Sequence, residues 1–224
     1  MRKPVVTIDG PAGSGKSTTA RRVARRLGYT YLDTGAMYRA MTVKALKTGI
    51  DLDDPDALAR QARETDIAIR TDPDGTRVIL DGADVTDEIR TPEVTQASSP
   101  VSAAEGVRKR MVELQRQVGE GGGIVAEGRD MGSVVFKDAE VKIYLDASLA
   151  CRAERRKKEL EASGTLVDLE NMEKDIESRD AYDSSREHSP LVIPEGSIVL
   201  DTTDMTIEDQ VERVIQEVNK RTGE

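Results

Sequence analysis

Eight consecutive residues near the start of the chain, Gly10, Pro11, Ala12, Gly13, Ser14, Gly15, Lys16 and Ser17, match G-x-x-x-x-G-K-[ST] at every fixed position. The glycines let the backbone wrap so that its N–H groups point inward at phosphate oxygens. A helix opening at Lys16 adds the partial positive charge of its N-terminus. Lys16 can then reach a β- or γ-phosphate, Ser17 can offer a hydroxyl to Mg²⁺, and Thr18 follows in the first turn. An apolar run, Val5–Ile8, precedes the motif and a helical pattern, Lys16–Leu27, follows it. That strand–loop–helix setting is the context the motif requires, and it reads as a P-loop for a nucleoside triphosphate.

Other residues supply anion sites for a second substrate. Asp33-Thr-Gly-Ala-Met-Tyr-Arg39 and Glu127-Gly-Arg-Asp130 each follow an apolar run, which places Arg39 and Arg129 on the same rim as the P-loop. Arg179, Asp183 and Arg186 stand at i, i+4 and i+7, one face of a helix if it continues that far; a solvated face laced with ion pairs has the same pattern. Arg152, Arg155 and Arg156 also share a helix face, either as a lid over the phosphates or as a charged surface. A GTPase should carry N-K-x-D, but the one Asn-Lys pair, Asn219–Lys220, is followed by Arg and Thr. A small kinase remains, its P-loop holding the donor.

The elements that must position these residues alternate. Five β-rich runs (Val5–Ile8, Tyr29–Leu32, Gly123–Ala126, Val141–Leu145, Ile198–Leu200) are separated by helical patterns at Lys16–Leu27, Ala36–Lys47, Ala103–Val118, Leu149–Glu161, Leu169–Tyr182 and Ile207–Lys220. Continuous apolar runs are the mark of strands covered on both faces, so the fold class is α/β with a doubly wound five-stranded parallel sheet. Each strand ends on an acid: Asp9, Asp33, Glu127, Asp146 and Asp201. Open α/β sheets bind ligands at that edge, although acids there also start loops and cap helices. Residues 66–90 break the rhythm: Ile67–Arg70 and Arg77–Leu80 flank an Asp72-Pro-Asp-Gly75 turn, as in a small antiparallel insertion. The tail from Arg221 is expected to fray.

Composition narrows the chemistry. The 224 residues suit one domain with an insertion. Thirty-three basic against forty-two acidic residues give a net charge of −9, and there is no Trp. Both facts argue against a nucleic-acid binder, which needs a basic surface and stacking platforms. No apolar run approaches a bilayer span and the N-terminus lacks a secretory pattern, so the expected setting is cytoplasmic and away from membranes. One Cys and one His exclude a disulfide framework and multi-His metal sites. His188, in a Ser-Pro loop, is expected to be an exposed loop residue, so no neutral-pH base is at hand.

The motifs together resemble the bacterial-type cytidylate kinases, P-loop nucleoside monophosphate kinases. The resemblance rests on T-I-D-G-P-A-G-S-G-K-S-T at 7–18, L-D-T-G-A-M-Y-R at 32–39, I-R-T-P-E-V at 89–94, V-R at 107–108 with Q-R at 115–116, E-G-R-D-M-G at 127–132 and R-D-x-x-D-x-x-R at 179–186. It implies transfer of the γ-phosphoryl group of ATP, with Mg²⁺, to CMP or dCMP by a monomer. Lys16, Arg129 and Arg186 would be catalytic, and the P-loop from Gly10 to Thr18 with Arg155 and Arg156 would bind ATP. Arg39, Arg129 and Arg186 would hold the acceptor phosphate. Ser99, Arg108 and Asp130 would read cytosine, Arg179 and Asp183 the ribose. Thr34 and Tyr38 would line the nucleotide, and Glu127 stands where the family commonly has Asp. Residues 62–100 would form the monophosphate-binding insertion and 152–165 the lid of one kinase domain spanning 1–224.

Overall fold

The computed structural model describes residues 2–72, 75–162 and 167–223. Pro73 and Asp74 of the expected turn, and residues 163–165 of the expected lid, lie outside them. Along the chain the elements run β1 (Val5–Asp9), α1 (Lys16–Leu27), β2 (Thr30–Asp33), α2 (Thr34–Thr48), α3 (Pro55–Arg63), β3 (Ile67–Asp72), β4 (Gly75–Leu80) and β5 (Ala83–Asp84). There follow α4 (Pro92–Ala103), α5 (Glu105–Gly119), β6 (Ile124–Gly128), β7 (Val141–Asp146), α6 (Leu149–Ala162), α7 (Leu169–Ser185), β8 (Ile198–Asp201) and α8 (Ile207–Thr222). Two compact units emerge, Met1–Tyr31 with Gly122–Glu224, and Leu32–Gly121.

The first unit is built on the five-stranded sheet, in the order β2-β6-β1-β7-β8, and the β1–β6, β1–β7 and β7–β8 pairings are parallel. All five β1 residues are buried, as a central strand covered on both faces requires. Between α1, α8 and the sheet, Val6, Ile8, Val23, Ile143, Leu145, Val211 and Val214 form one apolar core. Register sets the chemistry: Ile8 pairs with Glu127 and Asp9 with Gly128, so the loops after β1 and β6 leave adjacent strands side by side. A smaller cluster, Ala153, Met172 and Ile176, binds α6 to α7. The expected fraying of the tail is not found. Arg221 and Thr222 continue α8, and Gly223 closes it in a left-handed cap (φ 77°) whose N–H donates to the Asn219 carbonyl.

The second unit holds the antiparallel β3-β4-β5 sheet, with Ile67 opposite Leu80, together with a layer in which α3 packs on α5 and α2 on α4. The stretch 62–100 lies inside it. Two of its helices, α3 and α4, were not foreseen. Each begins with a cap residue followed by Pro: Asp54 accepts from the Asp56 and Ala57 N–H groups, and Thr91 from Val94 N–H. Proline at the first helical position lacks only an N–H that would have gone unpaired.

Candidate active site

The P-loop has the conformation its glycines were expected to allow. Gly10 has φ 148°, and a Cβ there would fall 2.0 Å from the Leu145 carbonyl oxygen. Gly13 has φ 75° and sits so close to α6 that a Cβ would be 2.9 Å from the Arg152 carbonyl oxygen. Gly15, also left-handed, opens α1. Within the loop Lys16 Nζ donates to the Pro11 carbonyl at 2.6 Å and Ser14 Oγ to the same oxygen at 3.1 Å. Burial pushes the Lys16 ammonium down to about 7; the nearby Arg129 acts the same way, while Glu127 and Asp9 oppose it. A phosphate brought into the loop would supply the charge this buried cation lacks.

Ser17, at the start of α1, donates to Glu127 Oε2 at 2.9 Å, and the buried phenol of Tyr31 donates to Glu127 Oε1 at 2.6 Å. Arg21 lies over the Tyr31 ring. Hydroxyl and carboxylate together form a hard oxygen donor set that fits Mg²⁺. Among the described residues no three His, Cys, Asp or Glu side chains cluster as a metal cage.

After β6 come Arg129 and Asp130, and then a five-residue π-helix, Met131–Val135. Asp9, fully buried, accepts from Met131 N–H and Gly132 N–H, both at 2.8 Å. Burial pushes the Asp9 carboxyl up to about 7 against the lowering effect of those two bonds. Arg129 reaches α7, where its Nε donates to Asp183 Oδ2 at 2.8 Å, and Arg186 pairs with the other oxygen. Burial would raise the Asp183 carboxyl, but the guanidiniums of Arg129 and Arg186 hold it below the usual aspartate range. The helix stops one residue short of the expected spacing: Arg179 and Asp183 lie in α7, which ends at Ser185, and Arg186 is its extended cap (ψ 136°). One face therefore gathers two cations on a single anion.

The three α6 arginines differ in what they touch. Arg152 donates to the Ala12 carbonyl at 3.1 Å and pairs with Asp180, whose other oxygen accepts from Ala12 N–H at 3.2 Å. Arg155 donates to Thr202 Oγ1 at 3.0 Å, and that hydroxyl lies 3.1 Å from the Ser14 carbonyl. Arg156 is a surface group paired with Glu159. His188 is exposed in the loop after α7.

In the second unit, Arg108 is buried on α5, lies 5.1 Å over the Tyr38 ring, and donates to the Ser102 carbonyl at 2.9 Å. Ser99 is half-buried on α4, one turn from Ser102, and Thr34 is buried at the start of α2. Arg39 lies 3.4 Å from Asp33, whose other oxygen caps α2 at Ala36 N–H.

The five strand-end acids thus divide. Asp33, Asp146 and Asp201 serve their own local backbone, whereas Asp9 and Glu127 each reach another strand or helix. Sequence reasoning singled out neither Tyr31 nor Asp180 nor the capping role of Asp9. Only Asp180 carried a signal, its place inside R-D-x-x-D-x-x-R.

Residues 6–220 match the family model described as cytidylate kinase. A cytidylate kinase of Caldanaerobacter subterraneus subsp. tengcongensis is 50% identical over 217 residues, 97% of this chain and 95% of that protein. One from Pelotomaculum thermopropionicum is 48% identical, covering 96% of each. A bifunctional pantoate ligase/cytidylate kinase of Synechococcus sp. (strain JA-3-3Ab) is 46% identical across 99% of this chain and 42% of that protein. Among solved structures, a shikimate kinase from Acinetobacter baumannii in complex with shikimate has a TM-score of 0.50 at 15% identity, covering 99% of this chain and 96% of that one; that likeness concerns the fold alone.

Proposed function

The chain belongs to the cytidylate kinase family, and from that premise we propose how its residues transfer the γ-phosphoryl group of ATP to CMP or dCMP. The observation that carries the reading is the pairing, within one unit, of a complete P-loop with Asp183 holding Arg129 and Arg186. A dianionic acceptor phosphate entering there meets two guanidiniums already gathered, that of Arg186 buried and that of Arg129 half-buried.

ATP would lie in Gly10–Thr18, with Lys16 leaving its Pro11 carbonyl for the phosphates and Arg155 and Arg156 above. Ser17 would hold Mg²⁺, with Glu127 behind it; bound there, the ion neutralises charge on the β- and γ-phosphates. Arg39, Arg129 and Arg186 would orient the acceptor phosphate, while Arg179 and Asp183 would take the ribose. Asp130 would accept from the cytosine amine, a donor that uracil lacks, with Ser99 and Arg108 on the ring acceptors and Thr34 and Tyr38 alongside. Transfer through a loose transition state then needs positioning and charge neutralisation. A phosphate monoester, with a second pKa of about 6, is already a nucleophile at neutral pH, so the reading requires no protein base.

The same reading assigns 62–100 to acceptor binding and 152–165 to a lid, in a cytoplasmic monomer. Among the described residues no helix is long and apolar enough to cross a membrane. The test is ADP release with CMP, dCMP, UMP, AMP, GMP and dTMP as acceptors. CMP and dCMP should lead; equal or better turnover of any other acceptor would overturn the reading.

A further inference from the structure

The peptide link between Pro11 and Ala12 is held on both of its edges. In a trans peptide the carbonyl and the N–H point in opposite directions, so two sets of partners can grip one link. The Pro11 carbonyl receives Lys16 Nζ at 2.6 Å and Ser14 Oγ at 3.1 Å, both from within the loop. On the opposite edge, Ala12 N–H donates to Asp180 Oδ1 of α7 at 3.2 Å. Asp180 Oδ2 is paired with Arg152 Nη1, and that nitrogen also donates to the Ala12 carbonyl at 3.1 Å. Arg152 is anchored in turn, its Nε donating at 3.0 Å to the Ala147 carbonyl just beyond β7. The Arg152 and Asp180 side chains are 10% and 19% exposed, so water screens the pair little.

We propose that Asp180 and Arg152 are positioning residues for the donor loop. They clamp both polar backbone groups of Ala12, so that Lys16 can exchange the Pro11 carbonyl for a phosphate without the loop losing its shape. The inference rests on the reading above, in which Lys16 moves to the phosphates of ATP. Once Lys16 has left, rotation of the Pro11–Ala12 link is opposed by Asp180 on its N–H edge and by Arg152 one peptide further on. Pro11 stiffens the same segment, because its ring fixes φ. Gly13 shows how closely α6 seats on the loop: a Cβ there would lie 2.9 Å from the Arg152 carbonyl oxygen. Donors fixed in advance need no reorganisation when charge arrives. Loss of the clamp should therefore fall on ATP and spare CMP.

The experiment measures binding of CMP, and of the Mg²⁺ complex of the β,γ-imido analogue of ATP. The proteins are wild type, Asp180→Ala, Arg152→Ala, the double variant and Lys16→Ala. Asp180→Ala should weaken the analogue about tenfold, as loss of a hydrogen bond to a charged group implies, with Kd for CMP within about twofold. Arg152→Ala should do the same, and the double variant should fall no further than either alone, because the pair acts as one clamp. A merely structural role would lower Tm and leave both Kd values where they were, which would overturn the proposal. If Lys16→Ala weakens the analogue and Asp180→Ala does not, the clamp is overturned and the role of Lys16 stands. An analogue Kd unmoved by Lys16→Ala would overturn the Lys16 reading, and this inference with it. Tighter analogue binding by Asp180→Ala would also overturn the clamp, since the carboxylate would then compete with phosphate for Ala12 N–H. An equal loss for CMP would do so too, as general damage to α7. Asp180→Asn, which sets an NH₂ group against Arg152 or Ala12 N–H, repeats the test should Asp180→Ala fold poorly. In the empty wild type the Ala12 amide should resist hydrogen exchange; exchange at the rate of an exposed loop would overturn the clamp without any variant.

Discussion

Arg129 and Asp183 are joined by a 2.8 Å bond from Nε to Oδ2, and because Arg186 takes the other oxygen, one buried carboxylate holds two guanidiniums together. The side chains of Asp183 and Arg186 are 3% and 8% exposed. Screening by water is therefore slight, and the pairings matter more than surface ion pairs of the same length.

Asp183→Asn should accordingly destabilise the empty protein by about 3–5 kcal/mol, the cost of leaving buried charges uncompensated. For a chain of this size that is a fall in Tm of about 10 °C. Adding CMP should still raise the variant's Tm, because its phosphate brings new anionic partners to Arg129 and Arg186 even where the ribose contact assigned to Asp183 is lost. The sign of the pH dependence follows from the lowered Asp183 carboxyl. Stability from a depressed carboxylate is present above its unfolded value of about 4 and is lost as pH falls through the folded value. The gap between variant and wild type should therefore narrow in acid, and a gap that widens would show that the carboxylate is not what holds the cluster.

Lys16 leads to a second measurement. Burial brings its ammonium to about 7, so above that pH the empty protein carries mostly neutral Lys16. Polyphosphate beside it favours the charged form, and binding must then take up a proton. Calorimetric titration with MgATP in buffers of different ionisation enthalpy should show proton uptake at pH 8 that fades towards pH 6. The buried Asp9 carboxyl, raised to about 7, is pushed in the same direction by an incoming anion. A binding enthalpy independent of buffer at pH 8 would mean that Lys16 is already charged before ATP arrives.

Much of this geometry was legible in the sequence because it is local. The G-x-x-x-x-G-K-[ST] spacing dictates a loop whose glycines adopt φ values other residues resist, and the apolar run Val5–Ile8 announces a strand buried on both faces. The antiparallel insertion was visible from two β-rich runs around a Pro-Gly turn. What escaped was long-range or compositionally disguised. Helix α4 is written in Ser, Thr and Pro, residues that ordinarily mark loops, so only its Thr91-Pro92 start betrayed it. That Asp9 would cap a turn 122 residues away depends on the β1–β6 register, which no periodicity along one strand can specify. Tyr31 likewise looks like one more apolar strand residue until its hydroxyl is found on Glu127.

That Tyr31–Glu127 contact should be felt at the metal. The phenol holds Glu127 Oε1 while Oε2 receives the Ser17 hydroxyl. Removing a hydrogen bond to a charged group costs about 1.5–3 kcal/mol, and about 1.4 kcal/mol corresponds to a factor of ten. Tyr31→Phe should therefore raise the Mg²⁺ concentration needed for half-maximal rate about tenfold, with KM for CMP within twofold. Binding of Mn²⁺ to the ATP complex, followed by electron paramagnetic resonance, should weaken in step. An unchanged metal dependence would reduce Tyr31 to a packing residue.

His188 is the one side chain whose ordinary pKa lies near neutrality, and it is exposed in the loop beyond α7. If the acceptor phosphate is its own nucleophile, His188→Ala should keep turnover within a few-fold of wild type. Lys16→Ala and Arg186→Ala, which strip charge from the transferring and receiving phosphates, should each lose several orders of magnitude. The wild-type rate should decline below about pH 6, where CMP itself gains a proton. Because that proton sits on the substrate, the acid limb should persist unshifted in His188→Ala and should move when the acceptor is replaced by a phosphonate analogue of different second pKa. A His188→Ala enzyme that binds CMP normally yet turns over a hundredfold more slowly would restore a protein base to the mechanism.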